Sequence, residues 1–182
     1  MRSYLFRTIF LALVLSSCGD DAQQQQPTHK TEPEQPGKLL VETINSFSAD
    51  NMRYNDVLNL RDDCFQTKSP AELLGGKLFI ATIDNKTVGY FGYYLSDKHT
   101  AFIHDVCVGS PYRGSGVGTK LFKQGLAIIE ANPEITELEL HVDPNNGAAV
   151  KLYKSAGFVR WGGSIEQDGH HDFMKKTLPK PN

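Results

Sequence analysis

Residues Val106–Leu121 read Val-Cys-Val-Gly-Ser-Pro-Tyr-Arg-Gly-Ser-Gly-Val-Gly-Thr-Lys-Leu, and they carry the strongest indication of the fold. An apolar strand runs into the glycine-rich turn Arg113–Gly118, and a helical pattern follows. Glycines in a strand-to-helix turn let the backbone approach a ligand closely. They also leave backbone N–H groups directed outward at a helix N-terminus, an arrangement suited to phosphate. The stretch therefore predicts an α/β domain that binds a phosphate-bearing cofactor.

Two well-known phosphate-binding patterns do not fit this turn. The dinucleotide pattern G-x-G-x-x-G, started at Gly114, would end on Thr119 instead of glycine. The P-loop requires Gly-Lys-Ser/Thr, whereas residues 118–120 have the order Gly-Thr-Lys. What remains is R-x-x-G-x-G, which the chain matches from Arg113 to Gly118. A purely structural turn ahead of a helix is the alternative interpretation.

A second motif follows the alternating strand predicted at Thr136–Val142. It reads Asn-Gly-Ala-Ala-Val-Lys-Leu-Tyr-Lys-Ser-Ala-Gly-Phe from Asn146 to Phe158. Together with the glycine turn, it resembles the GNAT acyl-CoA N-acyltransferases, whose motifs are R/Q-x-x-G-x-G/A and N-x-x-A-x-x-x-Y-x-x-x-G-F. The resemblance extends over roughly Leu39–Leu178, about one ordinary domain.

The resemblance implies an acetyl-CoA site built on these two motifs, with no metal. The strand before the turn would pair its backbone with the pantetheine arm, and the turn would bind the phosphates. The predicted cofactor contacts are Val106, Cys107, Val108, Arg113, Gly114, Ser115, Gly116, Val117, Gly118, Thr119 and Asn146. Two of them have simpler alternatives: Arg113 as a solvated turn residue and Asn146 as a helix N-cap.

Acetyl transfer to an amine also needs proton transfer, because an amine with a pKa of about 10.4 is protonated at neutral pH. The resemblance implies a carboxylate base on the strand before the turn or on the next strand. This chain carries His104 and His141 at those positions, and Asp105 is the alternative, as a base or as the residue that orients a histidine. Tyr153 matches the family tyrosine that faces the thioester sulfur as a general acid. For each of the four, an ordinary structural role is the competing interpretation.

The N-terminal region has the pattern of an export signal. Arg2 and Arg7 precede the short apolar run Ile9–Leu15, which is too short for the roughly 20 residues of a membrane span. The sequence Leu-Ser-Ser-Cys at 15–18 resembles a bacterial lipobox, which implies a lipidated Cys18 that anchors the protein in a membrane. We expect a lipoprotein that faces the periplasm or the exterior; the alternative is a cytoplasmic enzyme with an unprocessed N-terminus.

These patterns divide the chain into four parts. Residues 1–18 are predicted to be the signal peptide with its lipobox, and 19–38 a disordered linker rich in glutamine and proline. Residues 39–178 form the acyltransferase-like domain, and 179–182 a tail. The formal net charge of −2 and the pI near 6.3 argue against a nucleic-acid partner. For Cys64 and Cys107, the sequence favours two buried thiols over a disulfide.

The predicted fold is α/β, a mixed and mostly antiparallel central sheet flanked by about four helices. The strands are predicted at 39–47, 77–83, 87–96, 100–108, 136–142, 158–161 and 171–178, and the helices at 50–65, from 69, at 116–131 and at 146–156. The first helix is expected to bury Met52, Val57, Leu58 and Leu60.

The expected function is acetyl transfer from acetyl-CoA to a primary amine by direct attack in a ternary complex. The sequence leaves the acceptor open among a small amine, an amino sugar and a protein amine. It also leaves open whether the protein forms a homodimer. The acceptor would lie near residues 50–75 and near His170 and His171, a pair that lacks a third metal ligand at a typical spacing. The alternative is an exported, membrane-anchored lipoprotein that binds coenzyme A or another ligand without catalysis.

Overall fold

The computed structural model describes residues 37–45, 52–65, 76–166 and 169–179. Across these ranges, strands and helices follow the predicted order. They are β1 (Leu39–Ile44), α1 (Tyr54–Phe65), β2 (Lys77–Ile83), β3 (Lys86–Leu95), β4 (Thr100–Val108), α2 (Val117–Glu130), β5 (Glu137–Val142), α3 (Gly147–Ser155), β6 (Val159–Glu166) and β7 (Gly169–Thr177). Strands β2 and β4 have the predicted bounds. The largest difference is in β6, which extends to Glu166 and not only to Trp161.

The seven strands form one sheet in the order β1-β2-β3-β4-β5-β7-β6. All neighbouring pairs are antiparallel except β4 and β5, which run parallel. The parallel pairing joins Thr100–Ile103 to Glu137–Leu140 and stops there. We call the gap that begins at this point, between the second half of β4 and the end of β5, the fork. The predicted mixed, mostly antiparallel sheet is confirmed.

Three α-helices flank the sheet in the described ranges. The fourth helix, predicted from Ser69, lies outside the described residues, and so does the predicted helix start at Asp50. Helix α1 begins at Tyr54, so Met52 precedes it in a turn and is 82% exposed, which corrects its expected place in the core. No helix within the described ranges combines the length and the apolar character needed to cross a bilayer.

Helices α2 and α3 pack on one face of the sheet and bury the larger core cluster. The apolar residues of α2 recur at helical spacing, and Leu121, Phe122, Leu126 and Ile129 are all buried. Gly125 lies on the same stripe, where a Cβ atom would overlap the ring of Phe91. The missing side chain therefore lets the aromatic core of the sheet reach the backbone of α2.

Helix α1 packs on the opposite face, which we call the α1 face, and buries a smaller cluster around Val57, Ile80 and Tyr90. Within it, Cys64 of α1 and Cys107 of β4 form a disulfide, with their Cα atoms 5.9 Å apart. The prediction of two separate thiols is therefore wrong. The cysteines are 43 positions apart in sequence, and only the packing of α1 across β4 brings them to bonding geometry.

Candidate active site

A cavity of about 550 Å³ lies between β4, the glycine turn and α3, and we call it the glycine-turn cavity. The predicted cofactor contacts that line it are Val106, Val108, Arg113, Gly114, Gly116, Gly118, Thr119 and Asn146. The other lining residues are Cys64, Phe65, Tyr112, Ala148, Ala149, Leu152 and Tyr153. Three predicted contacts are not among the lining residues. Val117 and Cys107 are buried in the two core clusters, and the Ser115 hydroxyl donates to the Tyr112 carbonyl at 2.6 Å.

The glycine turn has the backbone geometry of an anion site. Gly114 and Gly116 adopt positive φ angles of 76° and 86°, a backbone conformation that is strained for residues with a side chain. Apart from the adjacent residues, no atom of the described part of the chain lies within 4 Å of the position that a Cβ would take at either glycine, so both face open space. Gly116 is also the N-cap of α2, and no described side chain caps the helix there. The first N–H groups of α2 are thus left for a ligand, where the helix dipole favours negative charge.

Arg113 borders the cavity, but its guanidinium forms hydrogen bonds with neighbouring protein groups. Its Nε donates to the Val108 carbonyl at 2.9 Å, and one terminal nitrogen lies 3.3 Å from an Asp63 carboxylate oxygen on α1. Asp63 also accepts hydrogen bonds from the backbone and side chain of Ser110. These hydrogen bonds, with the Arg113 charge, lower the pKa of Asp63 below its ordinary value. Arg113 therefore ties the glycine turn to α1.

Tyr153 of α3 is only 6% exposed and forms part of the cavity wall. Its ring packs 5.3 Å from that of Phe122 and 6.2 Å from that of Phe158, between centroids. Burial raises the pKa of its hydroxyl well above the ordinary value. At neutral pH, Tyr153 is therefore a protonated phenol that can donate a hydrogen bond or a proton. Asn146 caps α3, because its Oδ1 accepts from the Ala149 N–H at 3.1 Å.

Strand β4 carries a β-bulge directly before the cavity wall. Gly92 pairs with His104 and Tyr90 pairs with Cys107, so Asp105 and Val106 together face the single residue between them on β3. Asp105 takes the bulge conformation with φ 54°, in the left-handed region that few residues other than glycine occupy. The bulge turns the Asp105 side chain to the α1 face.

On that face, Asp105 lies between a cation and a histidine, and we call the three residues the Arg61 cluster. The Nε atom of Arg61 on α1 lies 3.4 Å from Asp105 Oδ2, and Nδ1 of His104 lies 3.6 Å from the same oxygen. Arg61 is 3% exposed. The His104 and Asp105 side chains are largely buried as well, at 12% and 19% exposure. The structure thus brings two of the predicted base candidates together, outside the residues that line the glycine-turn cavity.

His141, the third base candidate, has different surroundings. It is an exposed residue of β5, with its ring 4.2 Å from that of Phe173 and 4.9 Å from that of Phe102. It belongs to an aromatic row that crosses the α1 face from β3 to β6, namely Tyr94, Phe102, His141, Phe173 and Trp161. Tyr94 and Trp161 are 43% and 53% exposed. The row offers flat apolar surfaces next to the fork.

Arg61, Gly92 and the aromatic row were missed by sequence reasoning. Arg61 had a detectable signal, since it follows Val57 by four positions and precedes Cys64 by three, on the buried stripe of α1. A cation on such a stripe requires a buried partner. The aromatic row had none, because its members come from five different strands.

The His170 and His171 pair shows no sign of a metal centre. His170 Nε2 lies 3.6 Å from an Asp172 oxygen, and Arg160 binds the same oxygen at 2.7 Å. Among the described residues, no three histidine, cysteine, aspartate or glutamate side chains are grouped so that they could hold a metal ion.

Two relatives in sequence are named as acetyltransferases. An aminoglycoside N(6')-acetyltransferase type 1 from Klebsiella pneumoniae is 26% identical over 111 residues, which cover 54% of this chain and 55% of that protein. A mycothiol acetyltransferase from Thermobispora bispora is 41% identical over 59 residues, covering 32% of this chain and 20% of that protein. The chain thus spans about half the length of the aminoglycoside relative and a fifth of the mycothiol relative.

Solved structures share the fold. A GNAT-family acetyltransferase from Streptococcus pneumoniae matches with a TM-score of 0.62 at 18% identity, over 78% of this chain and 100% of that one. The aminoglycoside acetyltransferase AAC(6')-Ib in complex with coenzyme A matches with a TM-score of 0.58 at 18% identity, over 76% and 95%. The sequence profile of the acetyltransferase (GNAT) family matches residues 42–158, which include β4, the glycine turn and α3. The chain therefore belongs to the acetyltransferase (GNAT) family.

Proposed function

We propose that this protein transfers the acetyl group of acetyl-CoA to a primary amine by direct attack of the amine in a ternary complex. One observation carries the proposal: Tyr153 lies in the wall of the glycine-turn cavity, while the Arg61 cluster lies on the α1 face of the same strand. A proton donor and a proton acceptor thus flank the fork from opposite faces of β4. Acetyl transfer needs both, since the amine must lose a proton and the departing sulfur must gain one.

The glycine-turn cavity is proposed to hold the acetyl donor. The open space beyond Gly114 and Gly116, and the uncapped start of α2, suit the phosphates of coenzyme A. Val106 and Val108 would present backbone groups to its pantetheine arm, as in the family that the chain belongs to. When bound there, acetyl-CoA supplies an acetyl group activated as a thioester.

Tyr153 is proposed to act as the general acid. Its burial keeps the hydroxyl protonated at neutral pH, and its position in the cavity wall suits proton donation to the departing sulfur. Phe122 and Phe158 pack around the ring and limit its movement. A fixed proton donor needs little reorganisation when charge develops on the sulfur.

His104 is proposed to be the base. An imidazole with an ordinary pKa of about 6.5 accepts protons effectively near neutrality. Asp105 is less suitable, because its Oδ2 already lies 3.4 Å from the Arg61 guanidinium. His141 stacks on Phe173 and is exposed, so it is better placed to contact the acceptor than to be held as a base.

We propose a small amine on a ring, such as an amino sugar, as the acceptor class. The aromatic row next to the fork could stack against the apolar face of such a ring. The Klebsiella pneumoniae relative, which is named for acetylation of aminoglycosides, supports the same class.

The test is binding followed by transfer, with the full chain. Calorimetry should detect acetyl-CoA binding, and mass spectrometry should detect acetylation of at least one amine in a panel of kanamycin, spermidine and a lysine-containing peptide. Absence of binding at millimolar acetyl-CoA would refute the donor site. Transfer to spermidine or the peptide alone would refute the ring-amine class but support the enzyme.

A second candidate function is an exported lipoprotein that binds coenzyme A or another ligand without catalysis. The Cys64–Cys107 disulfide favours it, because disulfides persist mainly in oxidising compartments outside the cytoplasm. The same bridge supports the proposed lipidation at Cys18 and a location facing the periplasm or the exterior. Acetyl-CoA binding with no transfer to any amine would favour this candidate over the enzyme.

The location has its own test. A radioactive fatty acid should label the wild-type chain and not the Cys18→Ser variant when both are expressed in a bacterium. Equal labelling of the two chains would refute lipidation at Cys18 and leave the disulfide without its proposed compartment.

A further inference from the structure

We infer that Arg61 compensates the charge of Asp105 and thereby limits the proton affinity of the His104 imidazole. The inference rests on the proposed function of His104 as the base. It assigns a role to a helix residue that lies outside both family motifs and outside the residues that line the glycine-turn cavity.

Burial of Arg61 is the first observation. An arginine that is 3% exposed must be compensated by a carboxylate or by other acceptors, since an unpaired buried cation is very costly. Asp105 Oδ2 lies 3.4 Å from its Nε. The pair links the middle of α1 to the bulge of β4, and the bulge conformation of Asp105 is what brings its carboxylate to this helix.

Gly92 provides the second observation. A Cβ atom at Gly92 would lie 2.5 Å from Cε1 and 2.6 Å from Nε2 of His104, so the imidazole occupies the space that a side chain would fill. The ring of Tyr94 lies 5.7 Å from the imidazole, between centroids. The imidazole is therefore held by β3 beneath it and by Asp105 beside it.

The placement of Asp105 has a chemical consequence. A carboxylate 3.6 Å from Nδ1 stabilises the positive charge that the His104 ring gains when it accepts a proton. The accepted proton comes from the amine nitrogen, and the imidazole becomes an imidazolium beside the carboxylate. Arg61 limits this stabilisation, because its positive charge offsets the negative charge of Asp105.

The titratable and charged groups around His104 set the expected directions. Among the described residues they include Arg61 on α1, Tyr94 on β3 and Asp105 on β4. Tyr90 on β3 lies within the range of the Arg61, Asp105 and Asp62 charges, and His141 on β5 lies across the fork. Removing the Arg61 charge leaves Asp105 less compensated, which stabilises the imidazolium and raises the pKa of His104. Removing the Asp105 charge destabilises the imidazolium and lowers that pKa.

The experiment is a histidine NMR titration of the full chain without acetyl-CoA or amine, with the His104 signal assigned from its loss in His104→Gln. We expect the pKa of His104 to rise by about one unit in Arg61→Met and to fall by a similar amount in Asp105→Asn. In Arg61→Lys, which keeps the charge, the pKa of His104 should stay near the wild-type value. This variant provides a second test in case the Arg61→Met chain does not fold.

Arg53→Met is the matched control. Arg53 is also a buried arginine next to α1, 8% exposed, but it binds the Asn85 carbonyl at 2.6 Å and lies 3.7 Å from Glu42. Its loss should reduce stability without shifting the His104 titration. Shifts of equal sign in Arg61→Met and Asp105→Asn, or no shift in either, would overturn the inference.

The pH profile of kcat/KM separates this inference from the proposed function. The acidic limb should move up in Arg61→Met and down in Asp105→Asn. Opposite NMR shifts in a chain that acetylates no amine would refute the enzyme and leave the role of Arg61 intact. An active chain whose acidic limb stays in place in both variants would refute the role of Arg61.

Discussion

The glycine-turn cavity and the Arg61 cluster lie on opposite faces of β4 and are assembled in different ways. Except for Cys64 and Phe65, the cavity takes its lining from two short segments, 106–119 and 146–153. The Arg61 cluster joins residues 44 positions apart, and Gly92 of β3 completes its surroundings.

The difference shows when a sequence motif predicts the geometry of a site. In the glycine turn, successive backbone groups form the site, so the spacing of residues fixes the spacing of atoms. In the Arg61 cluster, the site exists only after α1 has packed across the sheet. A variant that disturbs α1 should therefore affect the two sites unequally, and four measurements test this contrast.

Tyr153→Phe should have the largest effect. Removing one hydroxyl deletes the proposed acid while the ring keeps its packing against Phe122 and Phe158. We expect kcat to fall by about 100-fold or more, within the usual range for general acid catalysis, with acetyl-CoA affinity nearly unchanged. Steady-state kinetics and calorimetry would check this. A kcat equal to that of the wild type would show that Tyr153 serves only as a core residue.

Loss of the disulfide should come next. The bridge closes a loop with a separation of 43 residues, for which chain entropy predicts about 4 kcal/mol of stabilisation. Denaturant unfolding should show this loss in Cys64→Ser/Cys107→Ser and in reduced wild type. Since α1 carries Arg61, the double variant should weaken catalysis more than acetyl-CoA binding. An unfolding midpoint that a reductant does not change would contradict the structural role of the bridge.

Gly116→Ala should have an intermediate effect, confined to the cavity. The methyl group would point into the open space where phosphate is expected, at a φ of 86°. We expect the Kd for acetyl-CoA to rise about 10-fold, or about 1.4 kcal/mol. Gly157→Ala is the matched control, because Gly157 also has a positive φ, of 93°, but does not line the cavity. Equal losses of affinity in both variants would point to general backbone strain.

His141→Gln should have the smallest effect. His141 stacks on Phe173 and is exposed, whereas His104 is held by Asp105 and Gly92. We expect His141→Gln to raise KM for the amine a few-fold with kcat nearly unchanged, and His104→Gln to lower kcat by about 100-fold. The reverse pattern in a kcat and KM comparison would exchange the roles of the two histidines.

Most of the fold was predictable from local sequence signals. The apolar runs of β2 and β4 gave their bounds, and the stripe from Leu121 to Ile129 predicted the buried face of α2. Both signals depend on a residue and its near neighbours, which secondary structure places in a fixed relation. Met52 was predicted to be buried because the helical spacing of apolar residues continues back to Met52 in the sequence. The helix itself begins only at Tyr54, and Met52 is exposed.

The site was predictable only where it is local. The glycine turn and Tyr153 followed from motifs, but the bulge at Asp105 has no glycine to mark it and depends on the pairing of β4 with β3. The Cys64–Cys107 bridge and the Arg61 contact depend on the angle at which α1 crosses the sheet. That angle is set by the packing of Val57 against Ile80 and Tyr90, which no short window of sequence contains.

The disulfide also determines how many thiol groups of the protein a thiol reagent would detect. Each acetyl transfer releases coenzyme A with a free thiol, and colorimetric reagents for thiols are a common measure of such turnover. With the bridge intact, neither Cys64 nor Cys107 contributes to that colour. Reduction of the bridge would add two further thiols, one of them on the wall of the cavity that is proposed to hold the donor. The redox state of the preparation therefore sets the background of the reaction as well as the stability of the protein.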